Sequence, residues 1–396
     1  MKKIYILLIA LLTINIVNAQ WTVQSSGTSQ ILSSVFFSDA NNGYVCGSGG
    51  MILKTTNAGA AWTIKTSGLT TNFNSIYFTS STTGYAVGDS KTIIKTTDGG
   101  TSWIIQDTST AYICNLYSVY FTNANTGYAI GYNGLILKTT NAGTTWDSIY
   151  TGTTKILRSI HFIDANNGYA VGVSGTILKT TDGGTTWSTL SSGVSYVLYG
   201  VRFTSSTTGY TVGANGGILK TTNGGTTWDS IYSGTTRTLR SIYFTDANNG
   251  YIDGYNGIIL KTTNGGTTWD SIYSGATDNL MSVFFTSTSV GYVVGNSGRI
   301  LKTTTGGVGI SEIADNNNTI SIYPNPATDN LTIDLQKLSN LQNTNLYIYN
   351  IEGQIVHQQQ ITQLKTELNI SELAEGMYVV KVSNDENTMI TKLIKN

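Results

Sequence analysis

The chain of 396 residues has two prolines, two cysteines, two histidines and no net charge, and only 11% of its residues are charged. Each scarcity excludes something. Two cysteines cannot form a disulfide framework, and Cys46 and Cys114 lack metal-ligand spacing, so both are expected to be free or buried. With 22 Lys+Arg against 22 Asp+Glu there is no basic surplus for nucleic acid. No apolar run reaches the roughly 20 residues that a membrane-spanning helix needs. What is abundant points elsewhere. The 24 Tyr, 10 Phe and 7 Trp exclude a disordered chain, and 44 Gly beside so many aromatics suggest short strands joined by tight turns.

Residues 1–19 place Lys2 and Lys3 before an apolar run from Ile4 to Val17 and end on Val17-Asn18-Ala19. The run is too short to span a bilayer and small residues occupy the cleavage positions, which predicts a secretory signal peptide. No cysteine follows it, which excludes a lipoprotein anchor. The mature chain is expected to be exported, with no transmembrane segment.

Gly-Tyr pairs recur at Gly43, Gly84, Gly127, Gly168, Gly209, Gly250 and Gly291, in steps of 41 or 43 residues. The Lys-Thr-Thr triplets that begin at Lys54, Lys95, Lys138, Lys179, Lys220, Lys261 and Lys302 keep the same steps. Such a period marks a unit that buries its apolar faces only against copies of itself. In the fourth unit Leu157–Phe162, Tyr169–Val171, Thr176–Thr180 and Thr186–Leu190 read as strands, with Gly and Asn supplying the positive φ of the turns. Connections this short permit only an antiparallel meander. Four-stranded sheets at this spacing predict an all-β fold, a seven-bladed β-propeller.

Tryptophan locates the closure of the ring. Trp62, Trp103, Trp146, Trp187, Trp228 and Trp269 open the last strand of six units, whereas the seventh has Ile310 there. Trp21 lies one period before Trp62, so Trp21 to Gln24 are expected to form the outer strand of the seventh blade. The propeller then spans 20–307.

Lys95-Thr-Thr-Asp98-Gly-Gly-Thr-Ser-Trp103 contains the Asp-box pattern Ser/Thr-x-Asp-x-Gly-x-Thr/Ser-Trp, and Thr180 to Trp187 fits it as well. Asn57, Asn141, Asn223 and Asn264 hold the Asp place in four other units; Ala61 departs from the pattern in the first and Thr305 in the seventh. Together with the Gly-Tyr-Ala-Val-Gly strand before it, the repeat resembles the seven-bladed photosystem II stability/assembly factor-like propellers, relatives of the Asp-box (BNR) repeats of sialidases and sortilin-type receptors. An Asx side chain here caps the backbone N–H groups of the turn, so Asn57, Asp98, Asn141, Asp182, Asn223 and Asn264 read as structural. The Trp-Asp dipeptides at Trp146, Trp228 and Trp269 lie inside a final strand with no Gly-His, so they do not make WD40 repeats.

From Glu312 the repeat stops. Residues 308–319 read as a polar linker, and 320–396 carry alternating strands at the spacing of a small Ig-like β-sandwich. Tyr323-Pro-Asn-Pro326, the Asn350-Ile-Glu-Gly353 hairpin, Gly376-Met-Tyr-Val-Val-Lys-Val382 and Lys392-Leu-Ile-Lys-Asn396 closely resemble the type A sorting domain of the type IX secretion system. The resemblance implies that the type IX machinery is a partner of residues 320–396 and that the protein ends secreted or on the outer cell surface.

The propeller contains no glutamate, and His161 is its only histidine. Glycosidases normally need two carboxyl groups in a cleft, and a sialidase adds an arginine triad with Tyr and Glu. Neither set can be assembled here, nor can a histidine metal cluster, and no catalytic residue, metal or cofactor is expected. Departures from the repeat are more informative. One column reads Ser33, Asn74, Tyr117, Arg158, Tyr199, Arg240, Met281, and a second Phe36, Tyr77, Tyr120, His161, Arg202, Tyr243, Phe284. With Lys155 and Arg237 in the preceding loops, cations gather in blades four to six. Asp253, where the other units have Cys or an aliphatic residue, calls for Arg202 or Arg240 as partner. Lys155, Arg158, His161, Tyr199, Arg202, Arg237, Arg240 and Asp253 are therefore the expected ligand-binding arc near the central channel. The functional expectation is a non-catalytic binding or scaffold module for a glycan, an anionic ligand or a protein. The alternative is a secreted carbohydrate-active enzyme of the Asp-box type, and the missing glutamates weigh against it.

The neutral total conceals a division. Residues 21–311 carry 15 Lys+Arg and 12 Asp, whereas 312–396 carry 5 Lys and 10 Asp+Glu. A mildly basic ring precedes an acidic tail.

Overall fold

A computed structural model describes residues 21–106, 114–307, 320–335, 341–350, 354–384 and 388–396. The signal peptide expected at 1–19 and the linker at 308–319, with Ile310, lie outside the described residues. The chain divides into two compact units, Met1–Gly309 and Ile310–Asn396.

The first unit is built of seven four-stranded antiparallel sheets. Blade one runs outward as Leu32–Phe37, Gly43–Gly47, Met51–Thr55 and Thr63–Thr66. Each inner strand packs on those of its neighbours, and the inner strand of blade seven, Leu280–Phe285, packs on that of blade one. The ring therefore closes. The sheet of blade seven is completed by Thr22–Gln24 as its fourth strand, antiparallel to Ile300–Lys302, and Trp21 is buried edge-on to Phe285.

In the fourth unit the strands are Leu157–Phe162, Gly168–Gly172, Ile177–Thr180 and Ser188–Leu190. The outer strand begins two residues later than alternation predicts, because the Thr186 N–H donates to Asp182 Oδ1 in the box turn. The Gly of each Gly-Tyr pair has a steric cause. It faces a phenylalanine across the strand pair, Gly43 opposite Phe37, and a Cβ there would lie 2.5 Å from that ring.

Each blade is bolted to the next by the same parts. Tyr44 of blade one stacks on Phe78 of blade two at 3.6 Å between centroids, and Trp103 meets that Phe edge-on. The Tyr44 hydroxyl and the Lys54 ammonium both donate to the Gly99 carbonyl in the Asp-box turn of blade two. The lysine also lies 5.5 Å from the Tyr44 ring centroid. Tyr292 and Lys302 of blade seven do the same to Ala58 of blade one, so the junction continues through the closure. Burial pushes the Tyr44 hydroxyl up to about 12, which keeps it a donor.

In the second unit Ser321–Tyr323, Asn330–Asp334 and Lys365–Asn369 form one sheet. Ile355–Gln360, Asn345–Tyr349, Gly376–Ser383 and Thr388–Lys395 form the other. Leu331, Ile333, Leu346, Ile348, Val380 and Leu393 make their shared core, giving a small two-sheet β domain. Ile355–Gln360 was not visible as an alternating segment. It is an edge strand that buries no side chain, so it needs no apolar face. Among the described residues no helix is long and apolar enough to cross a membrane.

Candidate functional site at the channel mouth

The inner strand of every blade presents the same order of side chains to the channel. In blade four Arg158 stands at an irregularity between Leu157 and Ser159, where the register shifts; Ser159 follows, then buried Ile160 and then His161. Equivalent shifts occur in all seven inner strands. A bulged residue is re-aimed away from the sheet, and the first column lines the mouth for that reason. The two columns thus form two levels, a rim and a deeper belt.

At the rim, tyrosines and arginines alternate through blades three to six. The Arg158 guanidinium carbon lies 4.1 Å from the Tyr117 ring centroid and 5.9 Å from that of Tyr199. Arg240 lies 4.3 Å from Tyr199 on its other side and 5.9 Å from Tyr255. Stacking of this kind holds a guanidinium flat against a ring while leaving its N–H edge free to bond. Neither arginine has an ion-pair partner among the described residues, and both Nε atoms are buried without an acceptor. They open on a cavity of about 160 Å³ that is also lined by Asn74, Tyr117, Tyr199 and six serines, and by no carboxylate.

Asp253 lies beneath the rim, fully buried, opposite Ser241, and neither carboxyl oxygen has a hydrogen-bond partner. Burial pushes its carboxyl up to about 8, against the pull of the nearby Arg240 charge. Of the two partners expected from the sequence, Arg240 is the one whose charge acts on it. At neutral pH the group is mostly protonated, so it does not neutralise the rim.

The belt closes on itself through Phe36, Tyr77, Tyr120 and His161, with neighbouring ring centroids 4.8, 5.4 and 5.5 Å apart. Arg202 lies 4.9 Å from the Tyr243 ring, and Tyr243 leads through Phe284 back to Phe36. His161 is buried with Nδ1 unpartnered, and burial, aided by the Arg202 charge, holds it well below its ordinary range, hence neutral. Neither His161 nor Arg202 lines the mouth cavity. Lys155 and Arg237 are exposed in the inter-blade loops, Arg237 donating to the Asn256 carbonyl.

The Asp-box residues are all committed to their turns. Asp98 Oδ1 accepts from the Thr96 hydroxyl and from the N–H groups of Thr101 and Ser102, while Oδ2 accepts from the Ser102 hydroxyl. The Ser102 hydrogen bonds, above all, hold its carboxyl down at about 2. Asn57, Asn141, Asp182, Asn223 and Asn264 accept the equivalent backbone bond from the residue four positions on.

Sequence reasoning missed the joint work of the Gly-Tyr tyrosines and the Lys-Thr-Thr lysines. Both repeats were plain, but only the fold shows both side chains converging on one carbonyl of the next blade. It also passed over Gly200, visible in the sequence as the single glycine in a column of serines.

Comparison with known proteins now decides the family. The profile of the photosynthesis system II assembly factor YCF48 matches residues 63–140, 138–195 and 187–276, more than half of the chain. The chain belongs to the YCF48 family. The solved structure of YCF48 bound to D1 peptide is 20% identical, with a TM-score of 0.63, covering 73% of this chain and 96% of that one. YCF48 from Cyanidioschyzon merolae is 21% identical with the same TM-score, covering 72% and 98%. The profile of the secretion system C-terminal sorting domain matches residues 321–396, which indicates type IX export of this YCF48-family propeller to the cell surface or beyond. Ulvan lyase NLR42 of Nonlabens ulvanivorans is 33% identical over 80 residues, 20% of this chain and 14% of the lyase. The match spans about a seventh of the lyase, whose activity stays a property of that protein.

Proposed function

We propose that the chain is an exported, non-catalytic binding propeller whose ligand seats at the channel mouth rimmed by Tyr117, Arg158, Tyr199 and Arg240. One observation carries the reading: the mouth offers two guanidinium groups without anionic partners and no carboxylate to act as base or nucleophile. Elsewhere in the propeller Asp39, Asp98, Asp164, Asp182 and Asp246 cap turns, Asp278 pairs with Arg299, and Asp253 is buried beside the mouth without lining it. The solved YCF48 bound to a D1 peptide supports the same reading, since a propeller of this family there holds a ligand.

The expected result is retention of a glycan or peptide on an immobilised array by the mature protein, with no release of chromophore from a panel of aryl glycosides. Arg158→Ala combined with Arg240→Ala should abolish that retention. Turnover of any glycoside would replace this reading with the carbohydrate-active one, and binding untouched by the double variant would move the site off the mouth.

A further inference from the structure

We propose that the mouth is specific for a tetrahedral oxyanion, a sulfate or phosphate ester group, held where blade five lacks a serine. The inference rests on the mouth being the ligand site. It starts from a rule that the ring obeys and then breaks. At five of the seven junctions a serine hydroxyl on one inner strand accepts the N–H of the next: Ser34 from Ile76, Ser75 from Val119, Ser159 from Val201, Ser241 from Val283 and Ser282 from Val35, at 3.2–3.3 Å. Ser118 stands in the same column of blade three.

In blade five that column holds Gly200, so the N–H of Ile242 in blade six has no hydroxyl to receive it. Gly200, Val201, Ser241 and Ile242 all line the mouth cavity. A backbone donor that faces a cavity without an acceptor is costly unless a ligand supplies one. This gap lies in the sector where Arg158 and Arg240 stand unpaired on either side of Tyr199.

The donors come from different directions, an N–H from the inner strand of blade six and guanidinium edges from blades four and six. A planar carboxylate is satisfied by one bidentate arginine in its own plane, whereas a tetrahedral oxyanion presents oxygens to donors that are not coplanar. Two uncompensated positive charges favour an anion, and a sulfate monoester, singly charged, and a phosphate monoester, close to doubly charged at pH 7, both supply one. Asp89, in blade two, is already occupied: it accepts from Asn72 and Asn74.

Calorimetric titration of the mature, full-length protein at pH 7 with sodium sulfate, sodium phosphate and sodium acetate tests the proposal. The expected result is one saturable site for sulfate or phosphate and none for acetate over the same range. Gly200→Ser restores the hydroxyl and is expected to weaken binding about tenfold or more, with Arg158→Gln doing the same. The serine has a place to stand, because six other blades carry one, although its Cβ would come 3.1 Å from Val212. Should Gly200→Ser not fold, Arg158→Gln decides alone. Titration with galactose 6-sulfate and glucose 6-phosphate separates an ester-borne group, which binds more tightly than the free ion, from the ion itself. Absence of sulfate and phosphate binding, equal binding of acetate, or full affinity in a folded variant overturns the proposal. Array binding in that case leaves the propeller a binding module of another specificity, so the two readings fail separately.

Discussion

Deletion of residues 20–26 lowers the melting temperature of the propeller by about 10 °C or more. Three things are lost together: the strand pairing of Thr22–Gln24 with Ile300–Lys302, the burial of Trp21, and its edge-on contact with Phe285. Truncating a buried Trp costs about 3–5 kcal/mol by itself, and each kcal/mol moves the midpoint of a large domain by about 2–4 °C. The deletion also leaves Ile300–Thr303 as an unpaired edge, which invites strand addition by a second molecule. Scanning calorimetry with light scattering measures both effects. Trp21→Ala in the full chain should reproduce much of the shift, and an unchanged midpoint in either protein would show that the ring does not depend on this closure.

Asp253→Asn stabilises the propeller at pH 8 and changes it little at pH 4. The sign follows from linkage. The folded-state carboxyl is raised to about 8 from its ordinary value of 3.8, so the native state retains a proton that the unfolded chain releases. The contribution is fully present below pH 3.8 and is lost as pH climbs towards 8, by up to about 1.4 kcal/mol per pH unit. Arg240 is the charged group acting on it. Ser241 is the polar side chain across the strand pair from it, and by the repeat the next blade adds apolar contacts: the equivalent Val171 packs among Leu198 and Val201, whose counterparts are Leu280 and Val283. Urea midpoints for both proteins between pH 4 and pH 8 check the claim, and parallel curves would mean that Asp253 is already ionised at neutral pH. The same titration acts on the mouth, where an ionised Asp253 at alkaline pH competes for Arg240.

Much of this fold was legible because a propeller repeats its chemistry at a fixed interval. Gly-Tyr, Lys-Thr-Thr and the box tryptophans recur in register, so one unit read correctly gave all seven, and the displaced tryptophan gave the closure. Boundaries were read less well where side chains take over backbone bonds, as Asp182 does at Thr186. Ile355–Gln360 escaped because an exposed edge strand has no buried face to betray it.

The candidate site was legible as columns and not as contacts. Arg158, Tyr199 and Arg240 stood out as departures from the repeat, and so did Asp253. Their order in the chain does not say that Arg240 and Arg158 flank one tyrosine, nor that His161 and Arg202 belong to a separate, deeper belt. Lys155 and Arg237, grouped with them by sequence, lie exposed in the loops.

The sequence by itself determined the all-β repeat, the number of blades, the closing strand and the sorting tail, because strand periodicity and turn chemistry are local and every copy confirms the others. Tertiary structure alone decided which columns meet. Residues about 41 positions apart become neighbours only once successive blades pack, and a missing serine at Gly200 leaves the N–H of Ile242 without a hydroxyl only when the next blade is set against it.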